Sequence, residues 1–211
     1  MSQLPFELSP DLDARLRRAF DPEAKISRAL EALGPVADRD VLLVDGAGSP
    51  VAAAMAGLGA RIVDAPAARP LRLPGADGSV DGVVGLWSSF RGPDAADQAE
   101  VDRVLRAGGR QLVVHDYGRD DISRLAAADR PEYGAWSQRG GPFLRGGFRL
   151  RVLHCWWTFE TIEDAADFLG AAFGERGHAL AATLRRPRLS YNVAVYHRTR
   201  VDGVPPAGAP A

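Results

Sequence analysis

The residues with chemical potential begin at Val44-Asp45-Gly46-Ala47-Gly48-Ser49-Pro50, a glycine-rich turn directly after a short apolar run. Gly46 and Gly48 carry no Cβ, so the backbone there can pass close to a ligand. Ser49-Pro50 is a helix-opening pair, a capping hydroxyl followed by a residue preset for the first turn, and the amides of such an opening can face polar ligand atoms. Asp64 stands eighteen positions after Gly46, at the end of the next apolar run, and is followed by Ala65. A carboxylate at that spacing suits hydrogen bonding to ribose hydroxyls, whether of a dinucleotide or of an adenosyl group.

Other chemistries find little support. Cys155 is the sole cysteine, so no intrachain disulfide can form, and a reducing compartment, the cytoplasm, is expected. Asp120 and Asp121 precede a helical pattern and read as caps. No ligand spacing pairs them with His154, His178 or His197, and no metal is expected. The formal net charge of −1 gives no overall attraction to nucleic acid or anionic lipid. The N-terminus lacks the pattern of a signal peptide and no apolar run is long enough to span a bilayer, so no membrane association is expected.

The elements that must position these residues are legible as an alternation. Two helices are predicted before the first strand: Ser9-Pro10-Asp11 opens one, and Asp21-Pro22-Glu23 opens another that Gly34-Pro35 closes. Asp40 to Val44 is a nearly continuous apolar run, as expected of a parallel strand covered on both faces. After the glycine turn come an alanine-rich helix and a strand over Ala60 to Val63. A strand from Val80 to Leu86, a helix from Asp94 to Leu105 and a strand from Arg110 to His115 follow. Strand and helix alternate, so the sheet should be mainly parallel. Strands over Phe148 to Cys155 and Tyr191 to Tyr196 flank a helix opened by Glu160 or Thr161. The expected organisation is N-terminal helices over 1–37, an α/β domain over 38–200 and a disordered tail over 201–211. Residues 116–147, with one short helix at Ile122 to Ala128, form an excursion over the sheet.

Over roughly residues 38 to 198 the chain resembles the class I S-adenosylmethionine-dependent methyltransferases. The Gly46–Ser49 turn is similar to the family's first motif. Leu73-Pro74-Gly75-Ala76-Asp77-Gly78-Ser79-Val80-Asp81 resembles its "LP…DGSFD" approach to the fourth strand, and Arg103-Val104-Leu105-Arg106-Ala107-Gly108-Gly109-Arg110 its "RVLRPGGR" approach to the fifth. A dinucleotide-binding fold has no reason to carry both, and its third fingerprint glycine would fall on Val51. The resemblance implies a three-layer Rossmann-like α/β fold with an antiparallel C-terminal strand and S-adenosylmethionine as cofactor. Asp45, Gly46, Ala47, Gly48, Ser49, Asp64, Ala65, Trp87 and Ser88 would then line the donor site.

The chain departs from the family in three respects. Val44 stands where the first motif has its acid, Asp45 is offset by one, and Pro50 replaces the third glycine. Arg69 occupies the position of an adenine-contacting Asp, and residues 65 to 80 must replace what is usually a helix and a strand.

Methyl transfer from a sulfonium is an in-line displacement, so the protein mainly aligns the reactants and excludes water. The resemblance places His115, Asp116 and Tyr117 beside the donor, as base or acceptor-positioning groups. A strand-end histidine and a turn-forming aspartate are the structural alternatives. Trp87 could stack on adenine or pack in the core. Residues 130 to 151 interleave Arg with Tyr, Trp, Phe and Gly. A substrate lid hinged at Gly140-Gly141 and Gly146-Gly147, a loop packed on the sheet, and a nucleic-acid contact all fit that composition, the last being disfavoured. Trp156-Trp157 suit core or dimer contacts, and a homodimer is compatible with the sequence. The expected function is methyl transfer to an unidentified acceptor, a small molecule by preference. A scaffold that keeps the fold without binding the donor is the alternative, and a nicotinamide or flavin oxidoreductase a third.

Overall fold

The computed structural model describes residues 8–90, 92–125 and 132–201. Its centre is a six-stranded sheet built from β1 (Asp40–Val44), β2 (Arg61–Ala65), β3 (Val80–Leu86), β4 (Leu105–Asp116), β5 (Arg149–Thr158) and β6 (Arg188–Thr199), in the order β2-β1-β3-β4-β6-β5. The first four strands are parallel, and β6 runs antiparallel to both β4 and β5. The architecture is therefore the mainly parallel α/β fold with an antiparallel C-terminal strand that the sequence predicts.

Helices cover both faces because alternate strand residues point to opposite sides. On one face Val41, Leu43, Leu86 and Val114 pack with α1 (Pro10–Ala19), α2 (Lys25–Leu33), α3 (Pro50–Gly57) and α8 (Ile162–Ala181). On the other, Leu42, Val44, Val83 and Val113 pack with α4 (Ala95–Val104) and with Phe143 of α7 (Pro142–Arg145). Short α5 (Asp121–Leu125) and α6 (Glu132–Trp136) complete the described helices. The caps foreseen in the sequence form. Ser9 accepts from the Leu12 amide, Ser49 from Ala52, Asp94 from Ala96 and Thr161 from Asp164. Asp21 caps α2 from a distance, accepting from the amides of Lys25 and Ile26.

Four boundaries differ from expectation. Asp64 lies inside β2 rather than after it. β4 starts at Leu105, five residues early, because Leu105 pairs with Val80 across a register shift before the ladder resumes at Gly82. β5 and β6 run past the expected Cys155 and Tyr196, the polar residues of the extension finding partners, as where Arg198 donates to Gln111 and pairs with Asp102. Trp156 and Trp157 thus belong to β5, where Trp157 is fully buried and Trp156 lies under the Arg188 guanidinium at 4.3 Å. Of the helix foreseen over Ile122 to Ala128, the part to Leu125 is helical; residues 126–128, and residues 202–211 of the expected disordered tail, lie outside the described residues. Residues 66–79 hold neither helix nor strand, and β2 is an edge of the sheet. Among the described residues no helix is long and apolar enough to cross a membrane.

Candidate functional site

The glycine turn sits at the C-terminal end of β1, between the ends of β2 and β3. Asp45 adopts a left-handed conformation (φ 53°), which Asp tolerates better than most residues. That turn swings its carboxylate across the sheet end: one oxygen accepts from the Ala67 amide at 2.9 Å, the other from the Ser88 hydroxyl at 2.6 Å. Ser88 in turn accepts from the Phe90 amide at 2.9 Å. Asp45 therefore ties the exits of three strands together rather than presenting its carboxylate to solvent.

The two glycines of the turn have different reasons. A Cβ on Gly46 would lie 2.5 Å from the Leu43 side chain, so glycine is required there by packing within the turn. Gly48 has φ +67° and nothing within 4 Å of an added Cβ. Ala47 and Gly48 are exposed, whereas Ser49 is buried by its capping bond to α3. The Gly48 carbonyl accepts from Arg17 Nη1 at 2.7 Å, which lays α1 beside the turn.

Asp64 is exposed and makes no hydrogen bond or ion pair among the described residues. Its carboxyl is held above its ordinary value, first by partial desolvation and then by the charge of Asp45. Ala65 is buried in the core below. The exposed Ala47–Gly48 turn and the exposed Asp64, opposite Leu43 in the ladder, both lie toward the C-terminal end of β1 and β2.

Trp87 and Ser88 are placed at the end of β3 but face inward. Trp87 (φ 47°) is only 8% exposed, packs edge-on to Phe20 at 5.6 Å and donates its indole N–H to Asp116 at 2.8 Å. Tyr191 donates its hydroxyl to the same Asp116 oxygen. Burial, and then the Asp116 charge, drive the Tyr191 phenol well above its ordinary pKa. Arg69 pairs with the buried Asp97 of α4 at 2.8 Å and donates to the Ser89 carbonyl at 3.1 Å. Leu71 is buried in the core.

Within the run His115-Asp116-Tyr117, the strand alternation separates the first two. Asp116 points to the α1 face, toward Trp87 and Tyr191. His115, 1% exposed, points to the opposite face, where its ring lies 5.2 Å from Trp136 and 6.3 Å from Phe143. His115 and Asp116 are therefore not brought together. Tyr117 is half-buried, its amide bonded to the Asn192 carbonyl and its ring under Arg119 at 5.6 Å. In the 116–147 excursion, Phe143 is fully buried and stacks on Tyr196 at 3.8 Å, so the stretch around α7 is anchored to the sheet; Arg130 and Pro131 lie outside the described residues.

Both later motifs have structural work. Arg103 donates to Glu100, to Asp77 and to the carbonyls of Leu73 and Gly75, clamping the 73–77 segment onto α4. Arg106 pairs with Asp40 and Asp81, joining the starts of β1 and β3. Sequence reasoning missed Asp97 and Glu100, although both fall with Val101 and Val104 on the inward stripe of α4, where a carboxylate signals a buried partner. The Arg17 contact with Gly48 had no local signal.

No family model and no curated protein matches the sequence. Solved structures do match in fold. A protein provisionally described as a type II methyltransferase, from Anaeromyxobacter dehalogenans, superposes with a TM-score of 0.54 at 18% identity, covering 84% of this chain and 96% of the other. The YcgJ protein from Bacillus subtilis gives 0.52 at 14% identity, covering 84% and 98%. A protein provisionally described as a methyltransferase from an antibiotic biosynthesis pathway of Anabaena variabilis gives 0.52 at 12%, covering 84% and 98%. The fold is that of the class I methyltransferases, as the motifs suggest.

Proposed function

We propose that the chain is an S-adenosylmethionine-dependent methyltransferase acting on a small molecule. The observation that carries the reading is the unpaired Asp64 carboxylate beside the exposed Ala47–Gly48 turn. The combination fits a ribose bearing vicinal hydroxyls and an adjoining polar chain. The rest of the expected lining fits less directly. Asp45, Ser49 and Ser88 spend their side chains on internal hydrogen bonds, and Trp87 faces the core, so these residues shape the site from behind.

When bound, the donor supplies an electrophilic methyl on sulfonium. The chain's own residues then have limited tasks. Asp64 would accept from the ribose hydroxyls, and the turn backbone would lie along the donor. Tyr117, the partly exposed member of its run, is the candidate to position an acceptor, since its phenol can accept or donate one hydrogen bond. His115 lies too deep to reach solvent without movement of the Trp136 and Phe143 rings.

A second reading is favoured by a different observation: the Asp45–Ser88–Ala67 network and the Trp87–Asp116 bond occupy polar groups that a donor site would use. On that reading the fold is a binding scaffold without donor affinity.

Isothermal titration with S-adenosylmethionine and S-adenosylhomocysteine separates the two, using the wild type and Asp64→Asn. Asp64 is exposed and unpaired, so the variant leaves the fold intact. Binding by the wild type that weakens at least tenfold in the variant supports the donor site. Absence of binding by the folded wild type overturns it and leaves the scaffold.

A further inference from the structure

The sheet ends at β2 with an open edge. In the ladder with β1, Arg61 donates its amide to the Arg39 carbonyl, and the Ala65 carbonyl accepts from Asp45. Backbone groups alternate in direction along a strand, so Arg61, Val63 and Ala65 face β1. The N–H and C=O groups of Ile62 and Asp64 point outward, where no further strand lies among the described residues.

The side chains repeat the message. Ile62 and Asp64 point to the α3 face, while Val63 shares the other face with Ala65. Leu71 and Leu73 cover that face over the neighbouring strands but do not reach Val63, which is 53% exposed. Leu58, at the end of α3 and just before β2, is 42% exposed. Two of the four exposed large hydrophobic residues among those described thus lie in β2 or at the end of the helix that leads into it.

We propose that β2 pairs antiparallel with β2 of a second copy, on a two-fold axis through Val63, to give a continuous sheet across a homodimer. The strand is self-complementary in three respects. Its outward backbone groups belong to residues 62 and 64, symmetric about 63, so each Ile62 meets a partner Asp64 in a pair that exchanges both hydrogen bonds. Val63 then faces its own copy across the axis in the close, non-hydrogen-bonded position, and the two exposed valines cover each other. Antiparallel pairing also sets the Arg61 end of one strand beside the Asp64 end of the other, so like charges do not meet. A two-fold contact of one patch with itself is the common form of a homodimer. An unpaired edge that is neither bulged nor interrupted by proline is a template for such pairing. The pairing uses the backbone of Asp64, whereas the proposed donor site uses its carboxylate, so the state of assembly and donor affinity are read out separately.

Sedimentation velocity over a concentration series tests the assembly, and Val63→Cys tests its geometry. Cα atoms in a non-hydrogen-bonded antiparallel pair lie about 4.5 Å apart, within disulfide range. The native thiol, Cys155, is buried, and that burial raises its pKa to about 12, so it does not compete. The expected results are a concentration-dependent dimer for the wild type, a covalent dimer of Val63→Cys under mild oxidation, and a monomer for Val63→Lys, which sets two cations face to face. Three outcomes would overturn the proposal. One is a wild type that stays monomeric at every concentration. The second is a folded Val63→Lys that still dimerises. The third is a Val63→Cys whose thiol reacts with a soluble reagent but forms no covalent dimer. Should Val63→Lys fail to fold by circular dichroism, the cysteine variant decides.

Discussion

Asp45 and Ser88, forty-three residues apart in sequence, are joined by a 2.6 Å hydrogen bond that ties the turn after β1 to the exit of β3. Ser88 is buried, and its hydroxyl also accepts from the Phe90 amide. Ser88→Ala leaves one Asp45 oxygen and one buried amide short of a partner. The expected cost is about 1–3 kcal/mol, read from urea unfolding, with donor affinity within a factor of two of wild type. Lost affinity at unchanged stability would instead place Ser88 against the ligand.

Trp87 and Tyr191 converge on one oxygen of Asp116 in a buried setting. Trp87→Phe keeps an aromatic ring against Phe20 but removes the indole N–H. A buried carboxylate then loses a donor, and destabilisation of about 1–3 kcal/mol is expected in a denaturant titration. A variant as stable as wild type would show the bond to be dispensable.

If Asp64 holds the donor as proposed, donor binding carries a pH signature. Its carboxyl is held above the ordinary 3.8 by desolvation and by Asp45. Only the ionised form would accept from both ribose hydroxyls, so affinity should be full above that raised value and decline as pH falls through it. Titration calorimetry of Asp64→Asn should show weak binding without this acid limb. An identical limb in both proteins assigns the titration to another group.

The clamp of Arg103 on Glu100 predicts an acid-labile segment. The Arg103 guanidinium hydrogen-bonds Glu100 and holds its carboxyl below the ordinary 4.5. A depressed folded value stabilises the protein above 4.5, and the contribution is lost as pH falls below it. Wild type should therefore lose Tm between pH 4.5 and the depressed value more steeply than Glu100→Gln does. Parallel curves for the two proteins would count against the clamp.

Arg103→Ala removes the donors that hold residues 73–77 to α4, including those to the Leu73 and Gly75 carbonyls. Limited proteolysis should then cut near Gly75 to Gly78 at least several-fold faster than in wild type, while the sheet stays intact by circular dichroism. Equal cleavage rates would mean that Leu71 and Leu73 alone hold the segment.

Much of this architecture is legible because the chemistry is local. The Asp40–Val44 run, the Ser49-Pro50 and Thr161 caps and the turn at Gly46 to Gly48 are written in adjacent residues, and each is found where expected. Residues 65 to 80, expected to replace the usual helix and strand, indeed hold neither over 66–79, and β2 stands at the sheet edge. What fails to show is non-local. Nothing near Trp87 reveals whether its ring faces a cleft or the core, because Phe20 and Tyr191, which settle it, lie far off in the chain. Asp45 looked misplaced by one position along a strand. Its left-handed backbone takes it out of the strand altogether, and that depends on tertiary partners at Ala67 and Ser88. The same holds for Arg69, whose position suggested a disturbed adenine contact and whose partner, Asp97, lies twenty-eight residues on, in α4.

The placement of His115 and Asp116 on opposite faces of β4 has an energetic corollary. Covalent neighbours ordinarily perturb one another, and their substitutions do not sum. Here the sheet stands between the two side chains as a partition, with Trp136 and Phe143 behind one and Trp87 and Tyr191 behind the other. They share none of these partners, so a double-mutant cycle across the peptide bond that joins them should close near zero, as for residues in separate parts of a protein.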